Sequence, residues 1–328
     1  MKMKKILAMA LASAMVLSLG ACGGSSNDSG ADTTKTEGSS DGTETASGKF
    51  PGTSDEDMYT VDLRAEPPEL NSILTTDVAS GDILRMVISG LYRLDENDQP
   101  VEDLAESTEV SEDGCTYTMK IRQDAKWSNG EPVTANDFVF SYQTICSKEA
   151  ASSYAFIVYD NLVNGNEVYE GTMDPSELGV KAIDDYTLEV KFENPIPYAK
   201  HLFSFASYYP MNQKAYEEIG ADVYGDDADK IVTNGAYTIS EWVHNDHITL
   251  TKNPDFYDSD RCAVGTVKYT MLNDSNARMN AFQSGEIDCI NLPGDQMAQA
   301  EQLGIHTESY VDNGNWYIQF NTQKTDKG

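Results

Sequence analysis

Positive charge is scarce in this chain of 328 residues: 23 Lys and Arg stand against 54 Asp and Glu, a formal net charge of −31. Such a surface repels phosphate backbones, which excludes nucleic-acid binding, and it repels anionic lipid headgroups as well. Its plainest meaning is solubility outside a cell. Catalytic signatures are missing too: there is no GxSxG, no HExxH, no Walker loop and no GxGxxG behind a strand. Of the four histidines, His244 and His247 fall between two expected strands, where His244-Asn245-Asp246-His247 reads as a polar hairpin turn rather than a metal pair. Asp226-Asp227-Ala228-Asp229 lacks the central glycine and terminal glutamate of a calcium loop and reads as a solvated loop. Acids are so numerous that two at a glycosidase separation carry no weight. The expectation is a protein that is not an enzyme and needs neither metal nor cofactor. No CxxC pair occurs; Cys115, Cys146, Cys262 and Cys289 are widely spaced, and their spacing does not choose between disulfides and buried thiols.

What is present begins at the front. Lys2, Lys4 and Lys5 precede Ile6 to Ala21, 16 uncharged residues whose last three, Leu19-Gly20-Ala21, lead into Cys22. That run is short for a membrane span and suits a secretory segment. With Cys22 directly after it, the pattern resembles a bacterial lipoprotein signal, in which the cysteine is acylated and becomes the new N-terminus. Residues 1–21 are therefore expected to be a signal peptide and Cys22 a lipidation site, with the protein tethered to the outer face of the cell membrane. Residues 22–49 are rich in Ser, Gly, Thr and Asp, bury too little apolar surface to fold, and read as a spacer. Roughly 280 residues remain, room for two domains.

From Met58 the pattern mixes strands and helices, an α/β class. Alternation predicts strands at 58–64, 116–121, 187–192, 236–242, 248–251, 264–271 and 316–321. Helical spacing predicts helices over 77–91, from Thr134 through Ile145, and at 213–219, 275–284 and 295–303; Thr134 and Asp137 supply the start of the second. Asn129-Gly130 and Ile183-Asp184-Asp185-Tyr186 read as turns. Eighteen tyrosines and three tryptophans, several beside Gly, Pro or Asn, suit an adaptable binding surface. The chain stops seven polar residues beyond its last expected strand, which reads as a fragment of a longer protein.

Six stretches in order resemble one family. The sharpest is DGCTYTMKIRQDAKWSNGEPVTANDFVFSYQ, Asp113 to Gln143; the others are 65–85, 177–198, IVTNGAYTISEW at 231–242, LTKNPDFYD at 250–258 and FQSGEIDCI at 282–290. They resemble the extracellular solute-binding proteins of peptide ABC transporters, the oligopeptide- and dipeptide-binding group. The resemblance implies a two-lobed periplasmic-binding-protein type II fold of the large three-domain subgroup. Residues 50–90 and 210–313 would form the first lobe and 91–209 an appended domain, while 314–328 would begin a second lobe that is missing here. It implies an extracellular, lipid-anchored protein that captures short peptides between its lobes and delivers them to the permease subunits of an importer, monomeric when full-length. Matching the family's ligand-facing stretches are Thr76, Asp77 and Val78 after the first strand, Tyr154 in the appended domain, and Trp316 and Tyr317 on the crossing strand. The acid that meets a peptide's ammonium in many relatives belongs to the missing lobe, so no residue is assigned to it. Some relatives bind nickel complexes, haem or oligosaccharides, and a surface sensor of peptide signals is a further alternative.

Overall fold

The computed structural model describes residues 57–309. The expected signal peptide, Cys22, the 22–49 spacer, the 316–321 strand with Trp316 and Tyr317, and the 314–328 segment lie outside the described residues.

In chain order the elements are β1 (Met58–Asp62), α1 (Val78–Val87), β2 (Tyr92–Leu94), β3 (Pro100–Glu102), β4 (Ala105–Val110), β5 (Thr116–Ile121) and α2 (Ala135–Ile145). Then come α3 (Ala155–Tyr159), α4 (Gly165–Glu170), β6 (Val180–Asp184), β7 (Thr187–Lys191), α5 (Ala199–Leu202) and α6 (Gln213–Ile219). The last are β8 (Tyr237–Val243), β9 (His247–Lys252), β10 (Thr266–Thr270), α7 (Ser275–Ser284) and α8 (Met297–Gln302). They build two four-stranded sheets and a small β2-β3 hairpin. One sheet runs β1-β10-β9-β8, with β1 parallel to β10 and the other pairs antiparallel. The other runs β4-β5-β7-β6 and is antiparallel throughout.

Local chemistry explains most of these boundaries. Alternation along Thr116–Ile121 buries Tyr117, Met119 and Ile121 on one face, opposite Leu188 and Val190 of β7. Helix α2 begins as its sequence suggests: Asp137 accepts the Thr134 backbone N–H at 2.7 Å and its hydroxyl at 3.1 Å. Phe138, Tyr142 and Ile145 on its inner face are fully buried. Residues His244 to Asp246 are the β8–β9 turn, with Asn245 at φ 61, and His247 already opens β9; Asp184-Asp185-Tyr186 joins β6 to β7.

Several expected elements are trimmed, three of them for visible reasons, while the 264–271 and 187–192 strands shorten to 266–270 and 187–191. Strand β1 stops at Asp62 because Arg64 turns left-handed (φ 70) and its N–H bonds the Asp62 carboxylate at 2.8 Å. The first helix ends at Val87 rather than at Leu91: Ile88 is extended, and the Val87 carbonyl accepts from Asn234 and Gly235 at 3.2 and 2.8 Å. A side chain at Gly235 would put a Cβ 2.5 Å from the Val87 carbonyl carbon, so this contact requires glycine. The 295–303 helix divides into a short 3-10 turn, Gly294–Gln296, and α8. Strands β2, β3, β4 and β6 and helices α3 to α5 were not among the expected elements; the helices are four to six residues long, too short to show a period.

The motifs that carry the family resemblance prove to be fasteners. In Trp127–Glu131 the Gly130 N–H bonds the Trp127 carbonyl and the Trp127 N–H bonds the Glu131 carbonyl, both at 2.8 Å, with Gly130 at φ 87. Ser128 then exchanges bonds with Thr233, and Glu131 takes Lys214 and Asn212 at 2.8 and 2.9 Å. Apolar side chains from both large sheets share one continuous core, from Leu63 to Met271. All four described cysteines are free thiols, which closes the question their spacing left open; burial pushes the Cys146 thiol up to about 12.

Candidate functional site

The first candidate segment follows β1. A tight turn holds it: Leu74 and Thr75 donate to the Asn71 carbonyl at 3.0 and 2.9 Å, and the Leu70 N–H bonds the Gly225 carbonyl at 2.8 Å. Asp77 then caps α1, its carboxylate accepting the Ser80 N–H at 2.9 Å and the Ser80 hydroxyl at 2.7 Å. That carboxylate is committed to the helix, so the segment presents chiefly backbone, the exposed Thr76 side chain and Val78, which is 58% exposed. An apolar residue so open at the head of a helix has no packing reason to be there. The setting is acidic: burial raises Glu69, with Asp226 and Asp77 adding to the effect, and burial raises Asp82 against the opposing pull of Arg85 and Arg64.

Tyr154 stands on the turn before α3. Helix α3 buries Ala155 and Val158 and is fixed to the core where Tyr208 donates its hydroxyl to the Ile157 carbonyl at 2.9 Å. This orientation turns Phe156 outward. The half-buried Tyr154 ring meets Phe156 edge-on at 6.1 Å and lies 6.0 Å from Phe205, and the two phenylalanines are 47% and 41% exposed. Three rings thus form an open aromatic group, a surface able to accept apolar matter.

These two segments, 79 positions apart, are joined directly. The Ser152 hydroxyl donates to the Ile73 carbonyl at 2.5 Å and accepts the Tyr154 N–H at 3.2 Å. Thr76, Asp77, Val78 and Tyr154 are therefore brought to adjoining turns, while Trp316 and Tyr317 lie outside the described residues. Two concavities, of about 240 and 420 Å³, are lined by Asp160, Glu193 and Tyr198 and by Glu131, Asp137 and Lys214 respectively. Neither is lined by the candidate residues, of which Thr76 and Val78 are exposed and Tyr154 is half-buried. Sequence reasoning missed Ser152, Phe156 and Phe205; the alternation of Tyr154 and Phe156 around a small Ala155 was the available signal.

One mixed and one antiparallel sheet with connecting helices define an α/β protein that carries an open, ring-lined surface. The comparisons make the class specific. The model of the bacterial extracellular solute-binding proteins, family 5 Middle, matches residues 99–327, and the chain belongs to that family. The oligopeptide-binding protein OppA of Bacillus subtilis is 33% identical over 273 residues, covering 80% of this chain and 49% of that protein. The crystal structure of an oligopeptide ABC transporter substrate-binding domain from Bacillus anthracis superposes with a TM-score of 0.72 at 38% identity, over 74% of this chain and 47% of that one. The structure of Listeria monocytogenes OppA bound to peptide matches with a TM-score of 0.72 at 33% identity, over 75% and 48%. The chain spans about half the length of the relatives it matches.

Proposed function

We propose that this chain carries part of the peptide-holding surface of an extracellular, lipid-anchored substrate-binding protein that passes short peptides to an ABC importer. The observation that carries the reading is the junction just described: the Ser152–Ile73 bond ties the turn that leads to the exposed Thr76 and Val78 to the turn that leads to the Tyr154, Phe156 and Phe205 rings. A peptide backbone can bond to the loop while its side chains rest on the rings, with water adjusting the fit, an arrangement that reads little sequence. Residues 50–90 and 210–313 act as one lobe with 91–209 appended to it, and 314 onward crosses toward a second lobe bringing Trp316 and Tyr317 to the ligand. Closure of the lobes buries the peptide, and no bond is made or broken in it. Cys22 bears the lipid that holds the working protein, a monomer, at the membrane.

Isothermal titration with a mixed pool of di- to pentapeptides tests the ligand class. Heat of binding with that pool, and none with a nickel complex, haem or an oligosaccharide, is expected; the reverse pattern overturns the reading. Peptide recovered intact after long incubation separates capture from hydrolysis. Cys22→Ser is expected to release the protein from the membrane fraction.

A further inference from the structure

We propose that Ser152 is a positioning residue: its single hydroxyl sets the spacing between the Thr76–Val78 loop and the Tyr154 turn, and with it the shape of the ligand-holding surface. The consequence for ligand rests on the peptide reading above; the spacing itself does not.

Ser152 is 8% exposed, and its hydroxyl is used twice, as donor to the Ile73 carbonyl at 2.5 Å and as acceptor of the Tyr154 N–H at 3.2 Å. Ile73 is fully buried, so the carbonyl has no easy recourse to water if the hydroxyl is removed. The turn on which Ile73 sits is itself rigid, its N–H taken by Asn71 Oδ1 at 3.3 Å and the next two N–H groups by the Asn71 carbonyl. A shift of Ile73 is therefore passed to Thr76 and to the cap at Asp77.

The backbone on the other side turns sharply just before this bond. Ala151, immediately before Ser152, sits at φ 51, the left-handed region that a side chain with a Cβ disfavours. Such a conformation persists where the surroundings over-determine it: the Ala151 N–H bonds the Lys148 carbonyl at 3.2 Å on one side, and the next residue makes the long-range bond on the other. The far end of α3 is already held by Tyr208 on Ile157. Ser152 supplies the tie at the near end, where Tyr154 begins the aromatic group. An ordinary buried serine satisfies itself on its own helix or turn; this one joins the two stretches that carry the proposed site.

The test compares Ser152→Ala, Ser152→Cys and Ser152→Thr by hydrogen exchange of residues 70–79 and 151–158, with titration of the di- to pentapeptide pool alongside. Ser152→Ala is expected to speed amide exchange in both segments about tenfold while leaving β4–β7 unchanged, and to weaken peptide binding about five- to tenfold. Ser152→Cys, a weaker donor, falls between, and it serves alone if the alanine variant does not fold. Ser152→Thr, which keeps the hydroxyl, returns both readouts to within about twofold of the parent. Exchange in 70–79 that is unmoved by loss of the hydroxyl overturns the proposal, as does threonine behaving like alanine. Coupled exchange with no peptide heat from any variant, the parent included, would overturn the peptide reading and leave the positioning role standing.

Discussion

The two large sheets close in different ways. Strands β4 to β7 come from one stretch, residues 105–191, and every neighbouring pair is antiparallel. Strand β1, by contrast, pairs in parallel with β10, and the whole of the other sheet lies between them in the chain. The local sheet is held by hydrocarbon: Met119, Leu188 and Val190 beneath Phe138 and Ile145. The long-range sheet is held by directional polar groups as well. Arg278 stands 3.1 Å from the buried Asp62 of β1 as an ion pair without hydrogen-bond geometry and donates to the Leu272 carbonyl at 2.8 Å, and the Asp288 carboxylate accepts the Thr60 N–H at 2.8 Å. Where the two regions meet, buried Asp103 takes the Tyr257 hydroxyl at 2.6 Å and Arg261 at 3.2 Å. A contiguous segment finds its register through its turns and its apolar face, whereas distant strands gain theirs from bonds that admit one partner. The candidate site draws one loop from each region, so its geometry depends on both kinds of fastening.

The sharpest way to break this contrast is to remove the main wedge of the local core. Phe138→Ala is expected to cost about 3–5 kcal/mol, seen as a drop in the urea midpoint. Exchange protection should fall first across 105–191 and only later in β1, β9 and β10; simultaneous loss would mean that the regions are one cooperative unit. Next in size is the long-range clasp. Arg278→Met leaves the Asp62 carboxylate buried without its main counter-charge and is expected to cost about 3–5 kcal/mol, toward the lower end because the arginine is not wholly enclosed and Arg64 still favours the charged form. Protection should be lost in β1 and 288–290 while 105–191 holds.

A third test uses pH within the local region. Burial pushes the Asp137 carboxyl up to about 6, against the bonds from Thr134 that favour its charged form. The folded state therefore holds this proton more tightly than the unfolded chain. Stability from this group is fullest below the unfolded value of 3.8, falls as the pH rises toward 6, and stays lower above it. Asp137→Asn keeps an acceptor for Thr134 and cannot titrate. Urea melts at pH 4, 5 and 7 should show the parent losing up to ~3 kcal/mol relative to this variant between the first and the last. A flat difference would show that α2 begins in a wetter place than its side chains indicate.

Much of this was legible in the residues, and the exceptions follow a pattern. Strand Thr116–Ile121 and helices Gln213–Ile219 and Ser275–Ser284 could be read to the residue because their spacing or caps are local. The end of α1 could not, since Asn234 and Gly235 decide it from far along the chain. The site divides the same way. Val78 and Tyr154 could be named through family resemblance, but the Ser152 bond to Ile73 that joins their turns is a tertiary fact. Asp77 shows the reverse lesson: an acid that the resemblance assigns to a ligand-facing loop is occupied by Ser80.

The smallest effect asks whether the polar fastening of the long-range sheet is graded by burial. At the β8–β9 turn, His244 Nδ1 lies 2.6 Å from Glu66, whose carboxylate also accepts from Trp242 Nε1 at 3.0 Å and the Asn245 N–H at 2.6 Å. The bond to Glu66 holds the imidazole above its ordinary 6.5, aided by that carboxylate's charge and by Asp227. A base raised in the folded state stabilises fully below its unfolded value and loses that contribution as the pH climbs through the folded one. The histidine is 46% exposed, so solvent screening limits the expected contribution to ~0.5 kcal/mol. His244→Asn should therefore melt slightly below the parent at pH 6 and together with it at pH 9, and added salt should narrow the gap at the lower pH. A gap as large as that of Arg278→Met would mean that exposure does not set the strength of these ties, and the contrast between the two sheets would need another cause.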